Sequence, residues 1–407
     1  MSKRAVIGLL SVIALALAAC SSPVDDSAPA SGVTVASADT ALPATDAPVG
    51  TEPPATEPPA TEPPATEPPE TDPPQVSTTE VKPVSAWTQI TPDSPDCACS
   101  DGSEFSFFER VADPSKVMFY FEGGGACFTL ESCDPNGDPT YSTTIEQTVD
   151  NLAQRGGLFD QSKSENPLAD YSLVYVPYCT GDVHIGNALT EYSPEVVIEH
   201  RGAANAEAAL EHLVAQYPGA SQVLVTGASA GSVPTPLMAG RVADELPAAN
   251  VITFGDSSGG YPGVPLVNEF IGNLWGTTNA IPDWPVNDGI TASEWSIPGL
   301  YVQAGLHAPD ITFARFDYAF DSVQASFAAL AGVGADAVVD QIDATEALVE
   351  AEGINLSTYV APGSAHTIIG GDEVYEMEVE GVRLIDWITE LVDGGVPEDV
   401  HCVECQP

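Results

Sequence analysis

The stretch "VLVTGASAGS", residues 223–232, runs from a predicted strand into a tight turn that presents a serine. Apolar and β-prone residues precede the sequence G-A-S-A-G, whose central residue is Ser229. A G-x-S-x-G sequence between a strand and a helix is typical of a nucleophile elbow, because its glycines allow the sharp turn that lifts the serine off the sheet edge. The pattern also arises by chance, so its meaning depends on the rest of the chain. Pro234 and Pro236 follow closely, which predicts that the next helix begins late or irregularly.

Other apolar, β-branched or aromatic runs predict the remaining strands of a sheet. They are continuous rather than alternating, which is typical of strands buried on both faces. Helical patterns cover residues 201–219 and 381–395. The fold class is therefore predicted as α/β and α/β-hydrolase-like, with a mostly parallel sheet and helices on both faces. The runs are "VMFYF" (117–121), "LVYVP" (173–177), "VITFG" (251–255), "GLYVQA" (299–304) and "LSTYVA" (356–361).

A glycine run and a histidine follow two of these strands, where sites form in a parallel sheet. In "YFEGGGACF" (120–128) a strand ends in three glycines, whose bare amides can donate hydrogen bonds to a developing oxyanion. In "APGSAHTII" (361–369) His366 follows the last predicted strand. Imidazole has the pKa that a general base needs near neutral pH. His184 and His307 are rival bases, whereas His200, His212 and His401 are predicted to be surface or helix residues.

The acid that orients the histidine is expected between Ser229 and His366, since the chain order in α/β-hydrolases is serine, acid, histidine. Asp310 is favoured by its position shortly after the run at 299–304. The other candidates are Asp256, Asp317 and Asp321.

Residues 1–20 have the features of an export signal, which is not part of the fold. Lys3 and Arg4 precede an apolar segment, and "LAAC" ends at Cys20. This ending resembles a bacterial lipobox, which implies cleavage and lipid attachment at Cys20. The alternative is an ordinary secretory signal with a chance cysteine. We expect an exported protein, anchored through Cys20 to a membrane at the bacterial cell surface or envelope.

Residues 21–83 contain almost no aromatic or large apolar side chains and include "TEPPATEPPATEPPATEPPETDPP". Paired prolines fix φ and remove backbone donors, which excludes helix and sheet. The segment is predicted to be a disordered, acidic spacer that rises about 3 Å per residue where it is extended. Such a spacer would hold residues 84–407, the predicted catalytic domain, away from the membrane.

Acidic residues dominate the chain. Its 59 Asp and Glu against 11 Lys and Arg give a net charge of −48 at pH 7, and about −40 of this falls on residues 84–407. A domain without a basic surface has nothing to meet phosphates, which excludes nucleic acid as a partner. Binding to anionic lipid is disfavoured for the same reason. We expect stability to depend on salt, because salt screens the self-repulsion.

Seven cysteines remain besides Cys20, and an exported domain can keep disulfides. Since seven is odd, at most three bridges form within one chain. Zinc at the terminal "CVEC" is disfavoured, because the cysteines and nearby His401 do not fit a zinc-site spacing. The seven are Cys97, Cys99, Cys127, Cys133, Cys179, Cys402 and Cys405.

Across residues 97–390 these segments together resemble the pectin acetylesterase and Notum family of serine carboxylesterases. The resemblance covers the glycine run with its following cysteines, the serine turn except that Ser232 replaces a glycine, and the histidine. It also covers four further segments. These are "CSDGS" (99–103), "PYCTGDVHIG" (177–186), "GDSSGG" (255–260) and "FDSVQ" (320–324).

The resemblance implies a Ser-His-Asp esterase that requires no metal or cofactor. It moves the acid from Asp310 to Asp321, within the family's Asp-x-x-Gln motif, beside Ser229 and His366. The implied oxyanion donors are the amides of Gly124, Gly125 and Ala230. The implied disulfides are Cys127–Cys133 and Cys99–Cys179. Cys97 would then pair with Cys402 or Cys405, or those two with each other.

The substrate implied first is an acetylated polysaccharide. The negative charge would repel polygalacturonate at low salt, so a neutral acetylated polysaccharide is an equal candidate. A lipid or other acyl ester is the alternative if a cavity accepts the chain. A different class of function is a non-catalytic binding lipoprotein on a hydrolase scaffold, which the presence of Ser229, Asp321 and His366 disfavours.

Overall fold

A sheet of nine strands forms the centre of the molecule. The computed structural model describes residues 86–146, 152–261, 263–332, 338–403 and 405–407. The strands are β1 (Thr88–Ile90), β2 (Phe107–Arg110), β3 (Asp113–Phe121), β4 (Tyr171–Val176), β5 (Ala188–Ser193), β6 (Val196–His200), β7 (Gln222–Ala228), β8 (Asn250–Asp256), β9 (Phe313–Tyr318), β10 (Leu356–Ala361), β11 (Glu378–Val379), β12 (Val382–Arg383) and β13 (Val400–His401). The helices are α1 (Leu130–Cys133), α2 (Gly202–Gln216), α3 (Thr235–Glu245), α4 (Pro265–Trp275), α5 (Ile297–His307), α6 (Ser322–Leu330), α7 (Val338–Ala351) and α8 (Leu384–Val392).

The sheet order is β1-β2-β4-β3-β7-β8-β9-β10-β13. The strands from β4 to β13 are parallel to their neighbours, and β1 and β2 add an antiparallel edge. Separate hairpins pair β5 with β6 and β11 with β12. The predicted mostly parallel α/β sheet is confirmed.

The sheet is buried on both faces, which explains its continuous apolar runs. In β7, Val223 and Val225 pack into one hydrophobic cluster and Leu224 into the other. Residues of α2 and α3 belong to the first cluster, and residues of α8 belong to the second. Successive side chains of a strand point to opposite faces, so a strand covered by helices on both sides needs apolar residues at nearly every position.

One predicted strand is wrong, because residues 299–304 belong to α5. The side chain of Ser296 accepts a hydrogen bond from the amide of Gly299, and Pro298 lies in the first turn of this helix. Both features start helices. The strand in this part of the chain is β9, which was not predicted from the sequence because charged residues interrupt its apolar run. Arg315 and Asp317 in β9 are at most 1% exposed and are paired at 2.7 Å.

The other five predicted strands and both predicted helices are confirmed. Among the described residues, no helix combines the length and apolarity needed to span a membrane. The export signal over residues 1–20, lipid attachment at Cys20 and the spacer over residues 21–83 lie outside the described residues and stay predictions.

Candidate active site

Ser229 sits on a sharp turn at the carboxyl end of β7. Its φ is 56°, in the left-handed region that residues other than glycine rarely adopt. Such strained residues are concentrated at functional sites. A Cβ on Gly227 would lie 2.1 Å from the carbonyl oxygen of Gly231, and one on Gly231 would lie 2.1 Å from that of Phe121. Both outer positions of the pattern therefore require glycine.

A short 3₁₀ turn, Ser229–Gly231, separates β7 from α3. Pro234 precedes α3 and Pro236 lies in its first turn. Backbone N–H groups of the first turn have no partner within the helix, so the missing N–H of proline breaks no helical hydrogen bond there. The predicted late helix start is confirmed. Ser232, the departure from the family pattern, is fully buried, and its hydroxyl lies 2.7 Å from that of Ser258. This contact connects the turn to the segment that follows β8.

Asp321 and His366 are joined by a hydrogen bond of 2.7 Å between Oδ2 and Nδ1. Asp321 is fully buried and caps α6 through Oδ1, which accepts the amides of Val323 and Gln324. The Gln324 side chain also donates to Asp321 Oδ2 at 3.0 Å and to Asp317 Oδ1 at 2.9 Å. The Asp-x-x-Gln spacing thus places the glutamine one helical turn from the acid, where it fixes the carboxylate.

The loop that carries His366 is held by the end of β8. Asp256 Oδ2 accepts the amides of Ile368 and Ile369 at 2.8 and 2.9 Å. Asp256 is fully buried, and this burial raises its pKa to about 6. Asp256 was a candidate for the orienting acid, but it anchors the backbone next to His366. The family resemblance includes the segment "GDSSGG", which contains Asp256, but it did not indicate that Asp256 anchors the His366 loop.

The topological choice of Asp310 is wrong. It is exposed in the turn before β9, at the amino end of that strand, because 299–304 is a helix and not the preceding strand. The carboxylate of Asp317 accepts hydrogen bonds from the side chains of Arg315 and Gln324. Asp321 alone among the four candidates contacts His366 through a hydrogen bond in the described part of the chain.

The nitrogen of His366 that faces away from Asp321 is available for a proton. His366 Nε2 is buried and has no hydrogen-bond partner among the described residues. With Nδ1–H donating to a carboxylate, Nε2 carries the free lone pair that a general base uses.

The glycine run packs directly on the serine turn. A Cβ on Gly123 would lie 2.3 Å from the carbonyl oxygen of Ala228 and 2.9 Å from Cβ of Ser229. Gly124 and Gly125 have φ 148° and 88°, and within the described chain their amides have no hydrogen-bond partner. These amides are therefore free to donate beside Ser229.

The two disulfides implied by the family resemblance, Cys127–Cys133 and Cys99–Cys179, are present. The first follows the glycine run, and the second ties residue 179 to the first loop of the domain. The third bridge joins Cys402 to Cys405. Cys97 has a free thiol. His401 and the two terminal sulfurs lie within 4.8 Å of one another, but a disulfide offers no thiolate to a metal.

The placement of the other histidines corrects one prediction. His200 is fully buried at the end of β6, with its ring nitrogens near the carbonyl of Thr180 and the hydroxyl of Tyr192. Its prediction as a surface or helix residue was therefore wrong. His212 and His307 lie on helices and His401 at the partly exposed β13, each next to a carboxylate. His184 is buried behind the glycine run.

An apolar cavity of about 140 Å³ opens beside Ser229. Gly125, Ser229 and Ala230 are among its lining residues, so the serine and two of the three implied oxyanion donors share one space. Its walls come from α4, the end of α6, the glycine run, the serine turn and the segments at 183–185 and 295–297. The large apolar lining residues are Phe128, Val183, Ile185, Val233, Val267, Ile271, Trp275, Trp295, Ile297 and Phe327.

The chain is similar to two groups of known proteins, the pectin acetylesterases and the palmitoleoyl-protein carboxylesterases. Residues 81–265 match the family model described as Pectinacetylesterase, a range that contains Ser229 and the glycine run but not Asp321 or His366. The chain is 27% identical over 151 residues to human palmitoleoyl-protein carboxylesterase NOTUM, which covers 36% of this chain and 30% of the relative. It is 29% identical over 102 residues to the NOTUM protein of Schmidtea mediterranea (24% and 19%). It is 28% identical over 182 residues to pectin acetylesterase 4 of Arabidopsis thaliana (43% and 43%). The chain thus spans less than half the length of each of these relatives.

Proposed function

We propose that this chain, whose residues 81–265 match the pectinacetylesterase family, is a serine carboxylesterase with Ser229, His366 and Asp321 as its catalytic residues. The observation that supports it best is the 2.7 Å hydrogen bond between His366 Nδ1 and buried Asp321, which leaves Nε2 of His366 without a partner among the described residues. The comparisons support an ester hydrolase without naming the substrate of this chain.

The reaction follows from the roles of these groups. His366 Nε2 takes the proton of Ser229 as its oxygen attacks the ester carbonyl. The amides of Gly124, Gly125 and Ala230 donate to the oxyanion, and the alcohol leaves with the proton from His366. Water activated by His366 then hydrolyses the acyl-enzyme. Asp321 keeps the imidazole proton on Nδ1 and stabilises the imidazolium.

The first substrate class that we propose is an acetylated polysaccharide. This proposal is supported by the family of residues 81–265 and by the pectin acetylesterases among the relatives. The acidic surface favours a neutral polysaccharide over a polyuronate at low salt, because like charges repel over about 10 Å at 0.1 M salt.

A second candidate is an ester of a longer acyl chain, which the apolar cavity favours. An acetyl methyl group would leave most of about 140 Å³ empty, whereas an alkyl chain of several carbons would bury its surface there. The similarity to palmitoleoyl-protein carboxylesterases agrees with this candidate.

Hydrolysis of p-nitrophenyl esters from acetyl to palmitoyl separates these candidates, with Ser229→Ala as the matched control. Activity on acetyl alone supports the deacetylase, and activity that rises with chain length supports the acyl-ester hydrolase. No activity on any ester supports the binding lipoprotein. Ser229→Ala with full activity would remove Ser229 as the nucleophile. Acetylated xylan and acetylated pectin, compared at low and high salt, then identify the polysaccharide.

We also propose that the protein is exported and held at the cell surface through a lipid on Cys20 and the acidic spacer. Three disulfides in the folded part agree with an oxidising compartment. A Cys20→Ser variant should pass from the membrane fraction to the soluble fraction after export. Retention of this variant in the membrane fraction would contradict lipid anchoring.

A further inference from the structure

His184 lies directly behind the glycine run, and the reaction proposed above does not use it. Its side chain is 2% exposed, and Nε2 lies 2.8 Å from the backbone carbonyl oxygen of Glu122. Glu122 is the residue immediately before Gly123. A carbonyl oxygen only accepts hydrogen bonds, so Nε2 carries a proton and donates it.

The segment that presents His184 is strained and firmly held. Val183 and His184 have φ 49° and 62°, two successive residues in the left-handed region. Buried Asp182 accepts the amide of His184 at 3.2 Å and the amide of Gly202 at 2.8 Å. The amide of Val183 donates to the hydroxyl of Tyr178 at 2.8 Å. Backbone strain of this kind persists only where the surroundings fix it, and it is concentrated at functional sites.

Glu122 is fixed through its side chain as well. Its carboxylate pairs with Arg155 and accepts the amide of Tyr178 at 3.3 Å. The ring of Tyr178 in turn lies 4.7 Å from that of His184, centroid to centroid. Glu122, which precedes the glycine run, therefore has its backbone carbonyl held by His184 and its carboxylate held by Arg155 and the amide of Tyr178.

The glycine run needs such support because it has no side chains of its own to lock it. Glycine has the largest conformational freedom of any residue. The carbonyl of Glu122 and the amide of Gly123 belong to one peptide plane, so a hydrogen bond to the carbonyl sets the direction in which the chain enters Gly124 and Gly125.

We propose that His184 is a positioning residue for the oxyanion amides, acting through the carbonyl of Glu122 to hold Gly124 and Gly125 in their donating orientation. The proposal rests on the function proposed above. Burial lowers the pKa of His184 to about 4, so the ring is a neutral donor in the working range of an esterase. It does not exchange a proton with the substrate.

The test compares variants that keep or remove the donor. His184→Gln keeps an N–H at the place of Nε2, whereas His184→Phe keeps a ring and loses the donor. His200→Phe is the matched control, because His200 is equally buried and bonds to Thr180 and not to the glycine run. The readouts are kcat and KM on p-nitrophenyl acetate, affinity for a trifluoromethyl ketone that mimics the oxyanion, and thermal unfolding.

We expect His184→Phe to lower kcat about 10- to 100-fold with KM nearly unchanged, since misplacing a catalytic group by about 1 Å has an effect of this size. Affinity for the trifluoromethyl ketone should fall by the same factor. His184→Gln should recover most of kcat, and His200→Phe should lower only stability. A folded His184→Phe enzyme with wild-type kcat, or an equal loss of kcat in His200→Phe, would overturn the proposal.

A measurement on the wild type keeps the test decisive if His184→Phe does not fold. Nitrogen-15 NMR of the imidazole should show the Nε2–H tautomer of His184 without titration between about pH 6 and pH 8. An Nδ1–H tautomer, or a folded but inactive His184→Gln, would overturn the proposal. This measurement does not depend on esterase activity. An active Ser229→Ala would therefore reject the proposed function separately.

Discussion

Replacing Asp321 by Asn should remove most esterase activity while leaving the fold intact. Oδ1 of Asp321 accepts the amides of Val323 and Gln324 at 2.9 and 3.0 Å. Oδ2 accepts His366 Nδ1 at 2.7 Å and the Gln324 side chain at 3.0 Å. Every hydrogen bond at this carboxylate is therefore one that it accepts, and an asparagine can accept at only one of its two ends.

The structure dictates which end that is. Two backbone donors point at Oδ1, so the asparagine oxygen takes that place and its NH₂ group faces His366. Nδ1 of His366 must then accept, which moves the ring proton to Nε2, the nitrogen needed to deprotonate Ser229. In this orientation the NH₂ group also faces the donor of the Gln324 side chain, whereas in the opposite orientation it would face two backbone donors, at about 1–3 kcal/mol for each unsatisfied buried group. Fixing the wrong tautomer in a serine hydrolase lowers kcat by about 10⁴, which corresponds to about 5.5 kcal/mol.

The assay is kcat on p-nitrophenyl acetate together with thermal unfolding, for Asp321→Asn beside Asp321→Ala. Asparagine keeps the cap of α6, which alanine loses at a cost of about 1 kcal/mol. We expect Asp321→Asn to be the more stable of the two and no more active. An Asp321→Asn enzyme within about tenfold of wild-type kcat would refute the tautomer reasoning.

Three further predictions concern the elbow, the buried acids and the cavity. Gly231→Ala should destabilise the protein by about 1–3 kcal/mol or more, because its Cβ would lie 2.1 Å from a carbonyl oxygen at the end of β3. Gly219→Ala, with nothing within 4 Å, is the control for denaturant unfolding, and equal losses in both variants would contradict the packing argument. Burial raises the pKa of Asp182 and Asp256 to about 6, so the folded state binds more protons than the unfolded state between about pH 4 and pH 6. The contribution of these two groups to the free energy of unfolding should therefore fall as pH rises through that window, and denaturant titrations in high salt that show a rise would contradict it. Ile271→Trp should fill the cavity and lower activity on octanoyl esters at least about tenfold while sparing acetyl esters, whereas equal loss on both would show that acyl chains do not enter there.

Much of the fold follows from local patterns. Continuous apolar runs identified five of the parallel strands, because strands covered on both faces have no polar side to alternate with. The prediction of a strand at 299–304 was wrong, because Ser296 and Pro298 begin a helix there. Apolar composition alone does not distinguish a buried helix from a buried strand. β9 was missed because Arg315 and Asp317 look like surface residues until the fold pairs them.

The candidate site divides in the same way. The glycines around Ser229 and the order of serine, acid and histidine are readable in the chain, because the elbow is a local structure. The choice between Asp310 and Asp321 was not readable from the residue pattern, since it depended on which segment is a strand. Family resemblance pointed to Asp321, and the sheet explains why: Asp321 begins α6 at the carboxyl edge of β9, whereas Asp310 lies at the opposite edge.

The sequence by itself determined the parallel sheet, the serine turn, the acidic surface and the types of residue that esterase chemistry needs. Only the tertiary structure decided which of them meet. His366 reaches Asp321 across 45 residues of sequence, and His184 reaches the carbonyl of Glu122 across 62. These contacts depend on sheet order and on loops meeting at one edge of the sheet. Local composition does not encode them, because hydrogen bonds between distant segments form only once the hydrophobic core has fixed where each strand ends.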